Sequence, residues 1–280
     1  MRLQLTLIFL LSIATLYAQP VLPTSSQVED FYHSKTIIVL EPELFSPYNI
    51  FIKEVVKNHW KITPYEVIDY ENFEKLRKDS SYSFLMVTQT RYERDKSKIL
   101  YNYLDLMLGA DVPTLTEMPL LGSLPLSYPN AEEENFSSKL GVMIRFLQNR
   151  VESLKNQPGI SGMRYLRYYN KNIPEIKNHV LLLAREDLSP GLLKEGILDK
   201  YYRYPFKIVS RKEMDSIIEE GTEDVAFLHV VGPDNKQREG WSMKLVFGLK
   251  DAQLYYYNRH VISVKKPNGF LLSDLKKIGH

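Results

Sequence analysis

The chain has 280 residues, and its 36 Lys and Arg nearly balance its 34 Asp and Glu, which gives a formal net charge of +2. Such a balance argues against a general nucleic-acid or anionic-membrane binder, so we predict no nucleic-acid partner. The sequence has no cysteine, which excludes disulfides, thiolate metal sites and a cysteine nucleophile. The length is sufficient for one large or two ordinary domains.

The N-terminus, residues 1–18, has the pattern of a secretory signal peptide. Arg2 supplies an early positive charge, an apolar run extends from Leu3 to Leu16, and Ala18 is a small residue at the expected cleavage site. The alternative is an uncleaved membrane anchor, but the run is shorter than the ~20 residues of a spanning helix. We therefore predict an exported protein, periplasmic or extracellular, with no transmembrane segment after the signal is removed.

A first α/β module is predicted at residues 35–156, after a flexible lead-in at residues 19–34 that has little periodicity. The module begins with Thr36–Leu40, a run rich in β-branched residues that is typical of a strand buried on both faces. Ser46 and Pro47 then predict a helix start, because Ser is a good N-cap and Pro is tolerated at the first helical position.

Four further strands, a second helix capped by Asp69 and a closing helix complete this module. The strands are predicted at Tyr65–Ile68, Phe84–Val87, Ile99–Leu106 and Met118–Tyr128, and the closing helix at Leu140–Val151. The last strand contains two prolines, which confine it to a sheet edge or a bulge because Pro cannot donate to the ladder. An apolar stripe at i, i+3, i+4 and i+7 predicts the helix.

The same order of elements recurs at residues 178–280, after a linker at residues 157–177. It begins with the apolar strand His179–Leu183, and Ser189-Pro190 again predicts a helix start. Later strands are predicted at Phe206–Val209, Asp224–Val231, Ser242–Leu249 and Leu254–Val264, with a helix from Ser210 and a last helix at Phe270–Ile278. We therefore predict an α/β fold of two tandem β-α-β-α-β-β-β-α modules with mixed sheets, produced by an internal duplication.

Each module resembles the α/β domain at the N-terminus of TolB and the related core of the CsgG family of curli-secretion lipoproteins. The resemblance lies in strands that lead into helices, Val67-Ile68-Asp69 and Ile208-Val209-Ser210, and in the hairpin strands Leu104-Asp105-Leu106 and Val246–Leu249. It implies an envelope protein that works through contacts with other proteins rather than by catalysis. The partners that it implies are therefore envelope proteins.

Motifs for common chemistry are absent from the sequence. It has no phosphate-binding loop, no Gly-x-Ser-x-Gly elbow and no pair of histidines at the i, i+4 spacing of a zinc helix. We therefore predict no catalytic residue, no metal site and no cofactor.

His229 lies late in a predicted strand of the second module. Ligand sites in α/β sheets lie at the carboxyl ends of the parallel strands. One interpretation makes it a base or a ligand near Glu186 or Asp187, which follow the first strand of that module. The other makes it a partly buried histidine bonded to the backbone or to a tyrosine. The first module has Val87 or Thr88 at about this position, so no chemistry is shared by both modules.

The linker carries a basic and aromatic run that is a candidate for binding a partner or a ligand. It consists of Arg164, Tyr165, Arg167 and Tyr168. Arginine forms paired hydrogen bonds to carboxylates or phosphates, and tyrosine stacks on rings. The run is therefore suited to an anion or a glycan. The alternative is that these aromatics pack on both modules as an edge strand or a connector.

A second candidate is the run Tyr255, Tyr256 and Tyr257 in a predicted strand of the second hairpin. Alternating aromatics usually pair across a strand, whereas an exposed tyrosine patch would indicate a protein interface.

The leading hypothesis is an exported, non-catalytic envelope or secretion-associated interaction module. One alternative is a protein that binds a small ligand, a glycan or an anion in the cleft between the modules. Another is a hydrolase-type enzyme centred on His229.

Overall fold

The computed structural model describes residues 21–43, 45–92, 97–128, 136–156, 165–221, 224–233 and 239–280. The signal peptide predicted at residues 1–18 lies outside these ranges. Within them, no helix combines the length and the apolar character that crossing a bilayer requires.

Helix α1 (Ser25–His33) occupies most of the segment that was predicted to be a flexible lead-in. The Thr24 hydroxyl accepts the Gln27 N–H and the Gln27 amide oxygen accepts the Thr24 N–H, which completes a capping box. Val28 and Phe31 are buried in the core. The structure differs from the prediction because two apolar residues at helical spacing suffice once a packing surface is available.

The first module is a mixed five-stranded sheet in the order β2-β1-β3-β4-β5. Its elements are β1 (Lys35–Val39), α2 (Pro47–His59), β2 (Tyr65–Ile68), α3 (Phe73–Leu76), β3 (Tyr82–Thr90), β4 (Tyr101–Leu108), β5 (Leu120–Ser127) and α4 (Leu140–Asn156). Strand β1 pairs in parallel with β2 and β3, whereas β3, β4 and β5 pair antiparallel. The proline-containing strand β5 lies at the sheet edge with two register shifts, as predicted.

The second module is a mixed five-stranded sheet with the same order, β7-β6-β8-β9-β10. Helix α5 (Tyr165–Tyr168) precedes β6 (Val180–Ala184), α6 (Ile197–Tyr201), β7 (Phe206–Val209), α7 (Arg211–Glu220), β8 (Val225–Val231), β9 (Trp241–Gly248), β10 (Leu254–Val261) and α8 (Leu272–Ile278). The α/β class and the β-α-β-α-β-β-β-α order of both modules are confirmed. Their common origin by duplication stays a prediction.

The two Ser-Pro pairs behave differently. Ser46 caps α2 through the Asn49 N–H at 3.1 Å, with Pro47 at the first helical position, as predicted. Helix α6 begins only at Ile197, seven residues after the second pair. Gly196 precedes it with a φ of 72°, a left-handed conformation that interrupts helical continuation.

Helix α4 of the first module packs on both sheets, so the two modules share one core. The Leu147 side chain lies against Gly122 of β5, where an added Cβ would meet it at 2.7 Å. The Phe146 ring packs edge-on against Phe247 of β9 at 5.7 Å between centroids. One cluster of buried apolar side chains contains α4 and the facing sides of both sheets. Burial of neighbouring faces of one helix against the two sheets therefore joins the modules.

Polar contacts at the end of the second hairpin fix α4 in this position. Arg145 donates to the carbonyl oxygens of Leu249 and Lys250, the latter at 2.8 Å. Asn149 donates to the Asp251 carbonyl oxygen at 3.1 Å. These side chains satisfy carbonyls of the tight β9–β10 turn that have no strand partner.

Candidate functional site

His229 lies on the face of β8 that meets the first module and is fully buried. Its Nε2 atom is 3.1 Å from the carbonyl oxygen of Leu126 on β5, and its Nδ1 atom has no hydrogen-bond partner among the described residues. Burial holds the pKa of His229 well below its ordinary value, and the charges of Lys139 and Arg211 act in the same direction. The ring is therefore neutral, with Nε2–H donating to the carbonyl.

The acidic residues Glu186 and Asp187 bind Arg211 rather than His229. The Arg211 Nη2 atom is 2.8 Å from Asp187 Oδ1, and Asp187 is 5% exposed. The Glu186 carboxylate accepts the Arg211 backbone N–H at 3.4 Å. Lys139, also buried, brings a second cation to the same junction. A bare Nδ1 is a base in principle, but His229 is fully buried and the neighbouring Asp187 carboxylate is bound by Arg211.

The linker covers the outer edges of both sheets. The Tyr165 hydroxyl bonds to the Ser123 carbonyl oxygen and, at 2.8 Å, to the Ser123 N–H on edge strand β5. On edge strand β10, the Asn170 amide receives the Tyr257 N–H at 2.7 Å and donates to its carbonyl oxygen at 3.0 Å. Asn172 donates to the Leu254 carbonyl oxygen at 3.1 Å. These side chains replace a neighbouring strand and blunt both edges.

The four linker candidates have different positions. Arg164 lies outside the described residues, Tyr165 is buried, Arg167 is exposed, and Tyr168 is half-buried. The Lys171 ammonium lies 3.8 Å above the Tyr168 ring. The structure thus leaves Arg167 as the exposed arginine of this run within the described part of the linker.

The three tyrosines of β10 are all buried, so they do not form an exposed patch. The Tyr255 hydroxyl donates to Asp251 at 2.7 Å and lies 2.9 Å from His179 Nε2. The Tyr256 hydroxyl donates to Asp274 at 2.6 Å. The rings of Tyr255 and Tyr256 stabilise the second module, because the hydroxyl of each has a partner inside the protein.

A buried ion pair that was not predicted lies on the other face of the second sheet. The Lys244 ammonium is 3.5 Å from Asp274 Oδ2 and 2.6 Å from His260 Nδ1. His260 Nε2 lies 2.9 Å from the Pro267 carbonyl oxygen, which fixes the tautomer that leaves Nδ1 as an acceptor. Burial lowers the pKa of Lys244 to about 8, although Asp274 acts in the opposite direction. A charged residue between Met243 and Leu245, inside an apolar strand, was the available signal.

A second buried carboxyl, Asp105, lies in the strand that carries the resemblance described above. Its Oδ2 atom accepts the Thr88 hydroxyl at 2.5 Å. Burial raises the pKa of Asp105 to about 6, while hydrogen bonds from Ser123 and Thr88 oppose the shift. The carboxyl is therefore ionised at neutral pH at a cost to stability.

We expect Asp105→Asn to stabilise the protein at pH 8 and to leave it nearly unchanged at pH 4. The pKa of the Asp105 carboxyl is higher in the folded than in the unfolded state. The stability that this difference contributes is therefore present at low pH and is lost as pH rises from about 4 to about 6. The full shift corresponds to about 3 kcal/mol. Thermal unfolding of both proteins across this pH range measures the effect, with exposed Asp199→Asn as the control. A variant that is equally stabilised at pH 4 would exclude ionisation as the cause.

Three large exposed side chains follow the carboxyl ends of β1 and β2, and we name Phe45, Ile50 and Tyr70 the β1–β2 patch. They are 88%, 54% and 41% exposed. Phe45 follows β1 and Tyr70 follows β2, and these parallel neighbours end at the same edge of the sheet. Ile50 lies in the first turn of α2, directly after the first loop. The sequence did not reveal the patch, because the exposure of an apolar side chain depends on which elements pack beside it.

The described residues contain no group of three or more His, Asp or Glu side chains arranged to hold a metal ion. Searches against models of protein families, curated proteins and solved structures found no match for the chain.

Proposed function

We propose that this chain is an exported, non-catalytic protein-interaction module of a cell envelope or of a secretion-associated assembly, working in the periplasm or outside the cell. The β1–β2 patch is the observation that supports this proposal. Large apolar side chains that share one edge and face solvent are typical of protein interfaces. The pattern of the first 18 residues supports export, and the TolB and CsgG-like order of the modules supports an envelope partner.

The arrangement of the core supports a scaffold rather than an enzyme. His229 was the side chain best suited to catalysis, and it is enclosed between β8 and β5 with its Nε2 atom on a backbone carbonyl. A hydrolase centred on it would require the modules to separate. A ligand in the cleft between them would have to displace the apolar cluster that the two sheets share. The buried tyrosines of β10 are also unsuited to docking, so we assign the partner to the β1–β2 patch.

Site-specific photo-crosslinking tests the proposal. We expect benzoylphenylalanine in place of Phe45 to give one discrete adduct with an envelope protein when cells of the native host are irradiated. The matched control replaces Val264, which is 85% exposed on a different turn. Ile50→Ser combined with Tyr70→Ser should reduce the adduct about tenfold, because truncating hot-spot contacts near the centre of an interface costs about 1 kcal/mol or more each. Equal adducts from both positions, or none from position 45, would contradict the proposal.

A further inference from the structure

Arg259 of β10 lies at the rim where the second sheet meets the β3–β4 end of the first. Its guanidinium carbon is 4.8 Å from the centroid of the Tyr92 ring and 4.8 Å from that of Trp241. The two rings are themselves 5.4 Å apart. The backbone N–H of Trp241 donates to the Tyr101 hydroxyl at 2.6 Å, which fixes the backbone beneath the indole. The rings therefore form a platform that orients one face of the guanidinium.

The positive charge of Arg259 lacks a carboxylate partner within the described part of the chain. Its Nη1 atom is buried without a hydrogen-bond partner there. Two other shielded arginines pair with carboxylates: Arg77 with Glu74 at 2.6 Å, and Arg211 with Asp187 at 2.8 Å. The groups that favour the charged form of Arg259 are the tyrosines Tyr257, Tyr92 and Tyr103, none of which is a carboxylate. A shielded donor without an acceptor is costly, so a bound anion would relieve that cost.

Arg167 lies in helix α5, which packs against β10, the strand that carries Arg259. Burial raises the pKa of Tyr257 of the same strand, and the charges of Arg259 and Arg167 act in the opposite direction. The two hydrogen bonds from Asn170 to the Tyr257 backbone hold the linker against β10. Arg167 is exposed, so its guanidinium is accessible from the solvent side.

We propose that Arg259 and Arg167 form a binding site for an oxyanion, a carboxylate or a sulfate or phosphate group, on the platform of Tyr92 and Trp241. The guanidinium fork matches the paired oxygens of such a group, and the rings hold the fork in place before binding. An aromatic platform beside the fork also suits an anion carried on a sugar ring. This proposal does not depend on the proposed protein-docking function, since none of its residues belongs to the β1–β2 patch.

Trp241 makes the site observable by fluorescence. The chain has two tryptophans, so Trp60→Phe leaves Trp241 as the reporter. We would titrate this variant, in the full exported chain, with sodium sulfate, sodium phosphate and sodium glucuronate, each exchanged for chloride at constant ionic strength. Glucose serves as the neutral sugar. We expect a saturable change in Trp241 emission with at least one anion and no change with glucose. Preference for glucuronate over both inorganic ions would identify a sugar acid as the source of the anion.

Matched arginine variants decide the assignment. In the same background, Arg259→Gln should abolish the saturable change, and Arg167→Gln should weaken binding on the order of tenfold by removing one charge-assisted contact. Arg185→Gln, at an exposed arginine after β6, should leave binding unchanged. If Arg259→Gln fails to fold, Arg259→Lys replaces it, and this variant should bind at least tenfold more weakly because it lacks the fork. No saturable change with any anion, or equal binding by the Arg259 and Arg185 variants, would overturn the proposal.

Discussion

Asp274→Asn is expected to lower the free energy of unfolding by about 3–5 kcal/mol, because it removes one partner of a buried ion pair. Lys244 and Asp274 both have fully buried side chains. The carboxylate also accepts the Tyr256 hydroxyl and the Asn258 amide, each at 2.6 Å, and the Leu271 N–H at 3.0 Å. Burial alone would raise the pKa of Asp274, but Lys244 and these donors outweigh it and hold the pKa below its ordinary value. Chemical denaturation at pH 7 measures the loss.

The pH dependence and a double variant give the controls for this result. A lowered folded-state pKa contributes stability that is present above the unfolded value near 3.8 and is lost as pH falls through the folded value. The difference in the free energy of unfolding between wild type and variant should therefore become smaller at acidic pH. Lys244→Met combined with Asp274→Asn should recover part of the loss, since no buried charge is then unpaired. A single-variant loss below about 1 kcal/mol would contradict a buried ion pair at this position.

Phe146→Ala is expected to cost about 3–5 kcal/mol, since it creates a cavity where α4 meets the second sheet. The Phe146 ring is 1% exposed and packs edge-on against Phe247 at 5.7 Å and Tyr169 at 5.1 Å. The change removes apolar contacts that hold the two modules together. Urea denaturation followed by circular dichroism measures the loss in free energy of unfolding.

Phe45→Ala is the matched control, because it truncates the same side chain at a position that is 88% exposed. We expect the free energy of unfolding to change by no more than about 0.5 kcal/mol. A similarly small effect of Phe146→Ala would mean that α4 does not join the two modules through a common core.

Local signals in the sequence determined the α/β class and the order of elements. Apolar runs such as Thr36–Leu40 became strands, and Ser46 with Pro47 began a helix at the expected residue. The prolines near β5 placed that strand at a sheet edge. These predictions succeeded because strand burial, helix capping and the missing proline N–H depend on residues within a few positions of one another.

The positions of the candidate functional residues were decided only by the tertiary structure. Tyr255–Tyr257 could have been exposed or buried by their spacing alone, and contacts with Asp251, Asn170 and Asp274 enclose them. His229 is sealed by the Leu126 carbonyl of a strand 103 positions earlier in the chain.

The same holds for the groups that sequence reasoning missed. Lys244 finds its partner Asp274 on the final helix, and Arg259 lies on the ring of Tyr92 from the other module. Which side chains meet depends on how α4 brings the two sheets together, and that packing results from apolar surfaces distributed over the whole chain. Sequence periodicity determines which face of an element is apolar, whereas the partner of that face is settled only when all the elements compete to be buried.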